Sequence, residues 1–422
     1  MSKNQIISAI DIGTTKVTTL IASLAEDSEK INIIGVSSVP SKGLRKSQIV
    51  DIDETIESIT QSVESAERMA GYSISSSLAS ISGSHIESIN SKGVVAVAEP
   101  EGEITANDVD RVIEAARAVS LPSAREILHV IPRDFRVDSQ EGIKDPVGMT
   151  GVRLEAEAHI ITGSATAMRN ISKCVSEIGV EVDSLVFSGL AGAESVLTPT
   201  EKELGVVLVD IGGGSTSLAI FVEGALSYSA VLPVGAKNIT NDLAIGLRVS
   251  LESAEKIKLA LSKAGKKSED DDDQLDVKKL GLSEEVDKLS IKTLTEGIIR
   301  PRVNEIFGMI GEELKKSGFG GTTPAGVVVT GGGALTVGLE TSCKRSLSLP
   351  VRIGYPKGLS GLVDEIKSPA YAASWGLINY GVKNYKGIKS DSTFKVVGQV
   401  FSKIPVKGVF DKGIKLIKSF LP

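Results

Sequence analysis

The feature that most restricts how this chain can fold is a strand–turn–strand pattern used twice. The first copy runs from Ile6 to Ile12, breaks at Gly13-Thr14-Thr15-Lys16 and resumes as Val17 to Ala22. The second runs from Gly205 to Ile211, breaks at Gly212-Gly213-Gly214-Ser215-Thr216 and resumes as Ser217 to Val222. Laying Asp11-Ile12-Gly13 on Asp210-Ile211-Gly212 gives each copy an apolar strand, an acidic residue near its end and a turn of glycines and hydroxyls. That is the pattern of an internally duplicated α/β chain. The 422 residues, 41% of them hydrophobic, suffice for two or three units with their own cores.

Between and after the two copies the periodicity turns helical. Ile52, Ile56, Ile59, Val63 and Ala66 share one face of a helix over Asp51 to Ala70, and Val109, Val112, Ile113 and Ala116 do so over Asn107 to Val119, with Thr105 or Asn107 as cap. Further helices are expected over Asn238 to Leu247, Leu251 to Leu261, Ser290 to Lys316 and Pro369 to Tyr380. From Gly381 to Ser402 the pattern fades into a linker. The run Ser268-Glu269-Asp270-Asp271-Asp272-Asp273 lacks the spacing of a calcium loop and reads as a solvated loop.

A net charge of -6 argues against nucleic-acid binding, which needs a concentrated basic surface. Cys174 and Cys343 are too few and too far apart for a disulfide framework or a cysteine metal site. His85, His129 and His159 stand in apolar runs without a second ligand nearby and are expected to pack. Met1 to Ser8 has no signal-peptide pattern and no window reaches the length of a membrane span, so a cytoplasmic chain is expected.

No Walker A pattern occurs, so any phosphate must be held in another way. The two turns offer one. Successive backbone N–H groups in Gly-rich turns make anion-binding concavities, Thr14, Thr15, Ser215 and Thr216 add hydroxyls, and Asp11 and Asp210 can face a hydrated Mg²⁺. Either turn alone is equally a plain β-hairpin. Gly331-Gly332-Gly333-Ala334, after the Val-rich strand ending at Thr330, is a third Gly-rich turn where a base or ribose can approach the backbone.

At the other end, residues 405–422 form an amphipathic helix. Val406, Val409, Phe410, Ile414, Leu416, Ile417, Phe420 and Leu421 fall within an arc of roughly 160°, at about 100° per residue. Lys407, Asp411, Lys412, Lys415 and Lys418 fill the other side. This suits the plane of an anionic membrane; docking on the chain's own body is the alternative.

The three Gly-rich stretches, in this order, resemble the two phosphate motifs and the adenosine motif of the actin/Hsp70/sugar-kinase superfamily. Within it the chain resembles the FtsA family of bacterial cell-division proteins. The specific stretches are Ile81-Ser82-Gly83-Ser84-His85-Ile86, Ile104-Thr105, Ile127-Leu128-His129-Val130-Ile131-Pro132-Arg133 and Asp145 to Glu155, similar to the small domain inserted in that family.

The resemblance implies an actin-like, ribonuclease-H-like duplicated ATPase fold. Residues 1–83, 163–195 and 363–385 would form one subdomain, 84–162 the inserted α+β domain, 196–237 and 323–362 a second subdomain, and 238–322 a third. Residues 386–404 would be a linker and 405–422 the membrane-targeting helix. It implies ATP and Mg²⁺ in the cleft, with Gly235 to Asp242 lining it, Asn238 and Asp242 among them, and Glu255 and Lys258 beside ribose and adenine. By their spacing alone the last two make an ordinary surface ion pair.

Hydrolysing relatives place Glu-Pro or Gln-Pro near Ser188-Gly189, which this chain lacks. There that residue orients the attacking water, so at most slow hydrolysis is expected, with Glu194 the candidate substitute. The implied partners are the C-terminal tail of FtsZ, further copies of the chain in a head-to-tail filament, anionic inner-membrane lipids and later division proteins. Arg300 and Arg302, in a surface over Ile298 to Glu313, are the candidates for the acidic tail, and the implied location is peripheral, on the cytoplasmic face of the membrane at the division site. Two rivals share the fold: a small-molecule kinase or phosphohydrolase, and a pilus-assembly platform of the PilM type.

Overall fold

In the computed structural model the residues described are 5–24, 30–98, 102–264, 273–284 and 288–389. The amphipathic segment 405–422, residues 390–404 before it and most of the acidic run lie outside them.

The duplication is carried by two sheets of the same design. In the first, Gln5–Ile12, Lys16–Leu24 and Ile31–Pro40 form an antiparallel meander. Ser76–Ile81 pairs parallel with Gln5–Ile12, and Glu181–Phe187 pairs parallel with Ser76–Ile81. In the second, Val206–Ile211, Thr216–Val222 and Ala225–Leu232 form the meander, and Val327–Thr330 and Val351–Ile353 add the two parallel strands. The first sheet carries one further strand, Leu359–Gly361, on its edge.

Alternation along the central strands decides which core each side chain enters. Val206 and Leu208 point into the core shared with the first sheet, and Val207, Val209 and Ile211 point into a second core. Because both faces are covered, the strand reads Val-Val-Leu-Val-Asp-Ile without polar alternation. Helix Ser188–Val196 leads from the first sheet towards the second, and helix Ala372–Lys389 packs against it. The approach is so close that a Cβ on Gly376 would lie 1.7 Å from the Ala191 carbonyl oxygen.

Residues 87–164 build a separate antiparallel sheet in the order Glu87–Ala96, Arg153–Ser164, Arg125–Val137, Gln140–Ile143. Helix Ala106–Arg117 lays Val109, Val112, Ile113 and Ala116 on one face of it, against Val130, Phe135, Leu154 and Ala156. The helix opens with Thr105 and Asp108 in reciprocal capping bonds. Helix Ile52–Ala70 starts at Asp51, which accepts from Glu54 N–H, and ends at the left-handed Gly71.

Two helices differ from expectation. The stretch read as one helix from Ser290 to Lys316 is helical over Ile291–Leu294 and Arg300–Ser317, with a wider π turn over Thr295–Ile299 between them. Pro301 explains it: the ring removes one N–H and crowds the carbonyl four residues back, which the wider turn accommodates. The last helix does not stop near Tyr380 but runs to Lys389, into the stretch read as linker. Gly381 is there for contact, since a Cβ on it would lie 2.7 Å from the Leu78 side chain.

Candidate functional site

A cleft of about 740 Å³ lies between the two sheets, and both strand–turn–strand units open into it. The turns close alike: Gly13 N–H donates to Lys16 O at 3.0 Å and Gly212 N–H to Ser215 O at 2.9 Å. They face each other closely enough that a Cβ on Gly213 would lie 2.3 Å from Thr15 Cγ2. Lys237, from helix Ala236–Leu247, donates through Nζ to Thr14 O at 3.0 Å and ties the second half to the first turn.

Beneath the turns sit the two aspartates. Asp11 accepts from Ser80 Oγ at 2.7 Å and from Ser374 Oγ at 2.8 Å. Burial pushes the Asp210 carboxyl up to about 7, the Asp11 charge adds to this and Lys16 opposes it. The Lys16 ammonium lies 3.0 Å from the centre of the Tyr371 ring; burial lowers its pKa to about 8 against the attraction of Asp11 and Asp210.

Gly331-Gly332-Gly333 forms the wall beside Asp210, where Gly331 has φ 83° and a Cβ on it would lie 2.2 Å from Asp210 Oδ1. Only glycine fits there. Opposite, Glu255 and Lys258 line the cleft as a 2.7 Å ion pair, with Lys258 buried and also donating to Thr240 Oγ1. The lysine end of the pair is thus buried in the cleft wall, while Glu255 remains partly exposed.

A profile described as the SHS2 domain inserted in FtsA matches residues 83–162, and one described as cell division protein FtsA matches residues 207–376. The cell division protein FtsA of Pseudomonas aeruginosa is 39% identical over 383 residues, covering 91% of each chain. That of Bacillus subtilis is 38% identical over 410 residues, 96% of this chain and 90% of the relative. The chain belongs to the FtsA family. Among solved structures, a PilM–PilN type IV pilus biogenesis complex superposes on this chain with TM-score 0.60 and 16% identity, covering 89% of it and 98% of the matched chain. MreB5 of Spiroplasma citri bound to ADP follows with TM-score 0.55 and 15% identity, covering 92% and 99%. These neighbours show the actin-like fold.

The cleft brings together Asp11, Gly13, Thr14, Thr15, Lys16, Asp210, Gly212, Gly213, Ser215, Glu255, Lys258 and Gly331 to Gly333. Several expected residues stand elsewhere. Thr216 begins a buried strand and gives its hydroxyl to Val234 O, so it is not a donor to the cleft. Gly214 lies behind the turn, where a Cβ would meet Thr14 and the Lys46 backbone. Ala334 is buried in the second core. Asn238 caps its helix by accepting from Gly235 N–H, while Lys237, Thr240 and Asn241 line the cleft near it.

Glu194, the candidate to orient water, is not among the residues that line the cleft. Its two oxygens are taken by Lys202, at 2.8 Å, and by Lys383, both of which hold its pKa down against burial. Arg302 is not free for an acidic tail. Its Nε and Nη2 donate to the two oxygens of Asp242 at 2.6 and 2.9 Å, which also takes Asp242 out of the cleft lining. Arg300 pairs with Glu296 one turn earlier.

Residues that the sequence did not single out also serve the cleft: Ser80 and Ser374 on Asp11, Lys237 across the gap, Tyr371 on Lys16, and Ser47. Away from it, His129 accepts from Phe187 N–H, and His159 is clamped between Asn90 and Ser229, joining the inserted sheet to the second sheet. Burial holds the two imidazoles at about 4 and about 3, in their neutral form.

Proposed function

We propose that this FtsA-family chain binds ATP with Mg²⁺ in the cleft, assembles head to tail, and holds the FtsZ ring to the cytoplasmic face of the cell membrane through residues 405–422. The observation that carries the nucleotide reading is the pair of facing turns with Asp11 and Asp210 beneath them. The backbone N–H groups of the Gly-rich turns, the hydroxyls of Thr14, Thr15 and Ser215 and the cations of Lys16 and Lys237 suit a polyphosphate. Asp11 and Asp210 suit a strongly hydrated divalent cation, and the Gly331 to Gly333 wall gives a ribose and base close access to backbone. When bound, Mg²⁺ would offset the phosphate charge.

With Glu194 engaged by two lysines, hydrolysis is at most slow. The reading as a nucleotide-controlled tether rests on the FtsA relatives and on the 405–422 pattern. One short helix binds a membrane weakly, so attachment gains from the many copies a filament presents. The amphipathic 405–422 segment favours this over a pilus platform that relies on membrane partners.

Co-sedimentation with anionic liposomes in ATP and Mg²⁺, comparing the full chain with one ending at Ser402, tests the tether. The expected result is membrane binding and filaments for the full chain and loss of both from the pellet on truncation. Equal binding by the two chains, or none by either, contradicts it.

A further inference from the structure

The stretch between strand Ile31–Pro40 and helix Ile52–Ala70 folds into a small hairpin whose tip reaches the cleft. Leu44 pairs with Ile49 and Arg45 with Gln48, which leaves Lys46 and Ser47 as the turn, both left-handed with φ 50° and 59°. Two consecutive non-glycine residues in that region are strained, and such strain persists only where the surroundings hold it. Here they do. At the base, Val50 and Asp51 N–H both donate to Gly43 O. At the tip, Ser47 N–H donates to Thr14 Oγ1 at 2.9 Å, and Ser47 Oγ lies 2.7 Å from Ser215 Oγ and 3.3 Å from Thr14 Oγ1.

Ser47 therefore touches one hydroxyl from each turn, at the place where the two turns meet. It also faces the other way. Ser47, Gln48 and Ile49 line a second, smaller cavity of about 230 Å³ together with His85, Ser164 and Asn170, at the root of the inserted domain and on helix Ala165–Ser176. In that cavity His85 Nδ1 accepts from Ser164 N–H at 3.3 Å, and its buried Nε2 has no partner among the described residues.

We propose that Ser47 is the residue that reads the terminal phosphate of the nucleotide, and that the Leu44–Ile49 hairpin passes the reading to the root of the inserted domain. The inference rests on the nucleotide reading of the cleft. The hydroxyls of Thr14 and Ser215 are the ones a phosphate between the turns would draw on, and Ser47 is hydrogen-bonded to both. An anion there recruits the Ser47 hydroxyl as a third donor, whereas a nucleotide one phosphate shorter leaves it on Ser215. The position of the hairpin against helix Ala165–Ser176 thus depends on which nucleotide is bound.

The test compares the native chain with Ser47→Gly, which removes the hydroxyl and accepts the left-handed backbone, and with Lys46→Gly, which eases the same turn but keeps the hydroxyl. ATP and ADP affinities are measured calorimetrically with Mg²⁺, and hydrogen exchange is followed over residues 44–49 and 165–176. Ser47→Gly is expected to lower the ratio of ATP to ADP affinity about tenfold, the scale of one hydrogen bond to a charged group. It should also erase the difference in exchange between the two nucleotides, while Lys46→Gly keeps the native ratio. An unchanged ratio in Ser47→Gly, or an equal fall in both variants, overturns the role of Ser47 while leaving nucleotide binding intact. Failure of the native chain to bind either nucleotide overturns both.

Discussion

The turn at Gly13–Lys16 and the turn at Gly212–Ser215 occupy equivalent places in two sheets of the same order, yet they are made of different material. The first carries Thr14, Thr15 and Lys16; in the second the matching positions are Gly213, Gly214 and Ser215. The difference is complementary. A Cβ on Gly213 or Gly214 would lie 2.3 and 2.8 Å from the Thr15 and Thr14 side chains, so the glycines of one copy make room for the threonines of the other. The duplicated unit has become a matched pair, in which one copy supplies side chains and the other backbone.

The aspartates diverge in the same way. Asp11 is held by two serine hydroxyls, while Asp210 stands against glycine with its carboxyl raised to about 7. Equal residues in equivalent positions should therefore respond differently to the same change.

The most severe break in this comparison is Gly331→Ala. The methyl group meets Asp210 Oδ1 and the Ile211 carbonyl at a φ of 83°, so a loss of about 3 kcal/mol or more is expected in denaturant unfolding. Gly213→Ala should cost about 1–3 kcal/mol by collision with Thr15. Combining it with Thr15→Ser, which removes the colliding methyl, should recover at least half of that, and additivity in the double variant would count against the matched-pair view.

A further effect separates the aspartates by sign. Asp11→Asn should destabilise by about 1–2 kcal/mol, because the Ser80 and Ser374 hydroxyls lose a carboxylate acceptor. For Asp210 the folded pKa of about 7 lies above the usual 3.8, so the folded chain holds a proton that the unfolded chain has released, and stability falls as pH rises through that window. Asp210→Asn removes the penalty. It should stabilise the chain at pH 8 by a few kcal/mol, at most about 4, and do little near pH 4, as read from urea midpoints. Destabilisation by Asp210→Asn at both pH values would show that the carboxylate is paired in a way the structure does not contain.

Much of this was legible in the sequence, for definable reasons. The Asp-Ile-Gly triplets announce the duplication because turn chemistry and strand patterning are local. Helix Ile52–Ala70 announces itself through its stripe and caps. What escaped depends on distance along the chain. Ser80 and Ser374 reach Asp11 from 69 and 363 residues away through parallel strand pairing and the final helix, and nothing local marks either serine. Arg302 looked available because its partner Asp242 lies 60 residues earlier, and Glu194 looked available because Lys383 lies 189 residues later. The Lys46-Ser47 turn carries no Asn-Gly or Asp-Gly signature, so the hairpin beside the cleft was invisible.

The most direct test is calorimetric titration of ATP with Mg²⁺ into the native chain and into Asp210→Asn, at pH 8 and with both proteins shown to be folded. The account predicts one saturable site per native chain and an affinity at least tenfold weaker in the variant, despite its greater stability. Absence of binding by the native chain, or equal binding by the variant, would contradict the claim that the cleft between the two turns holds the nucleotide.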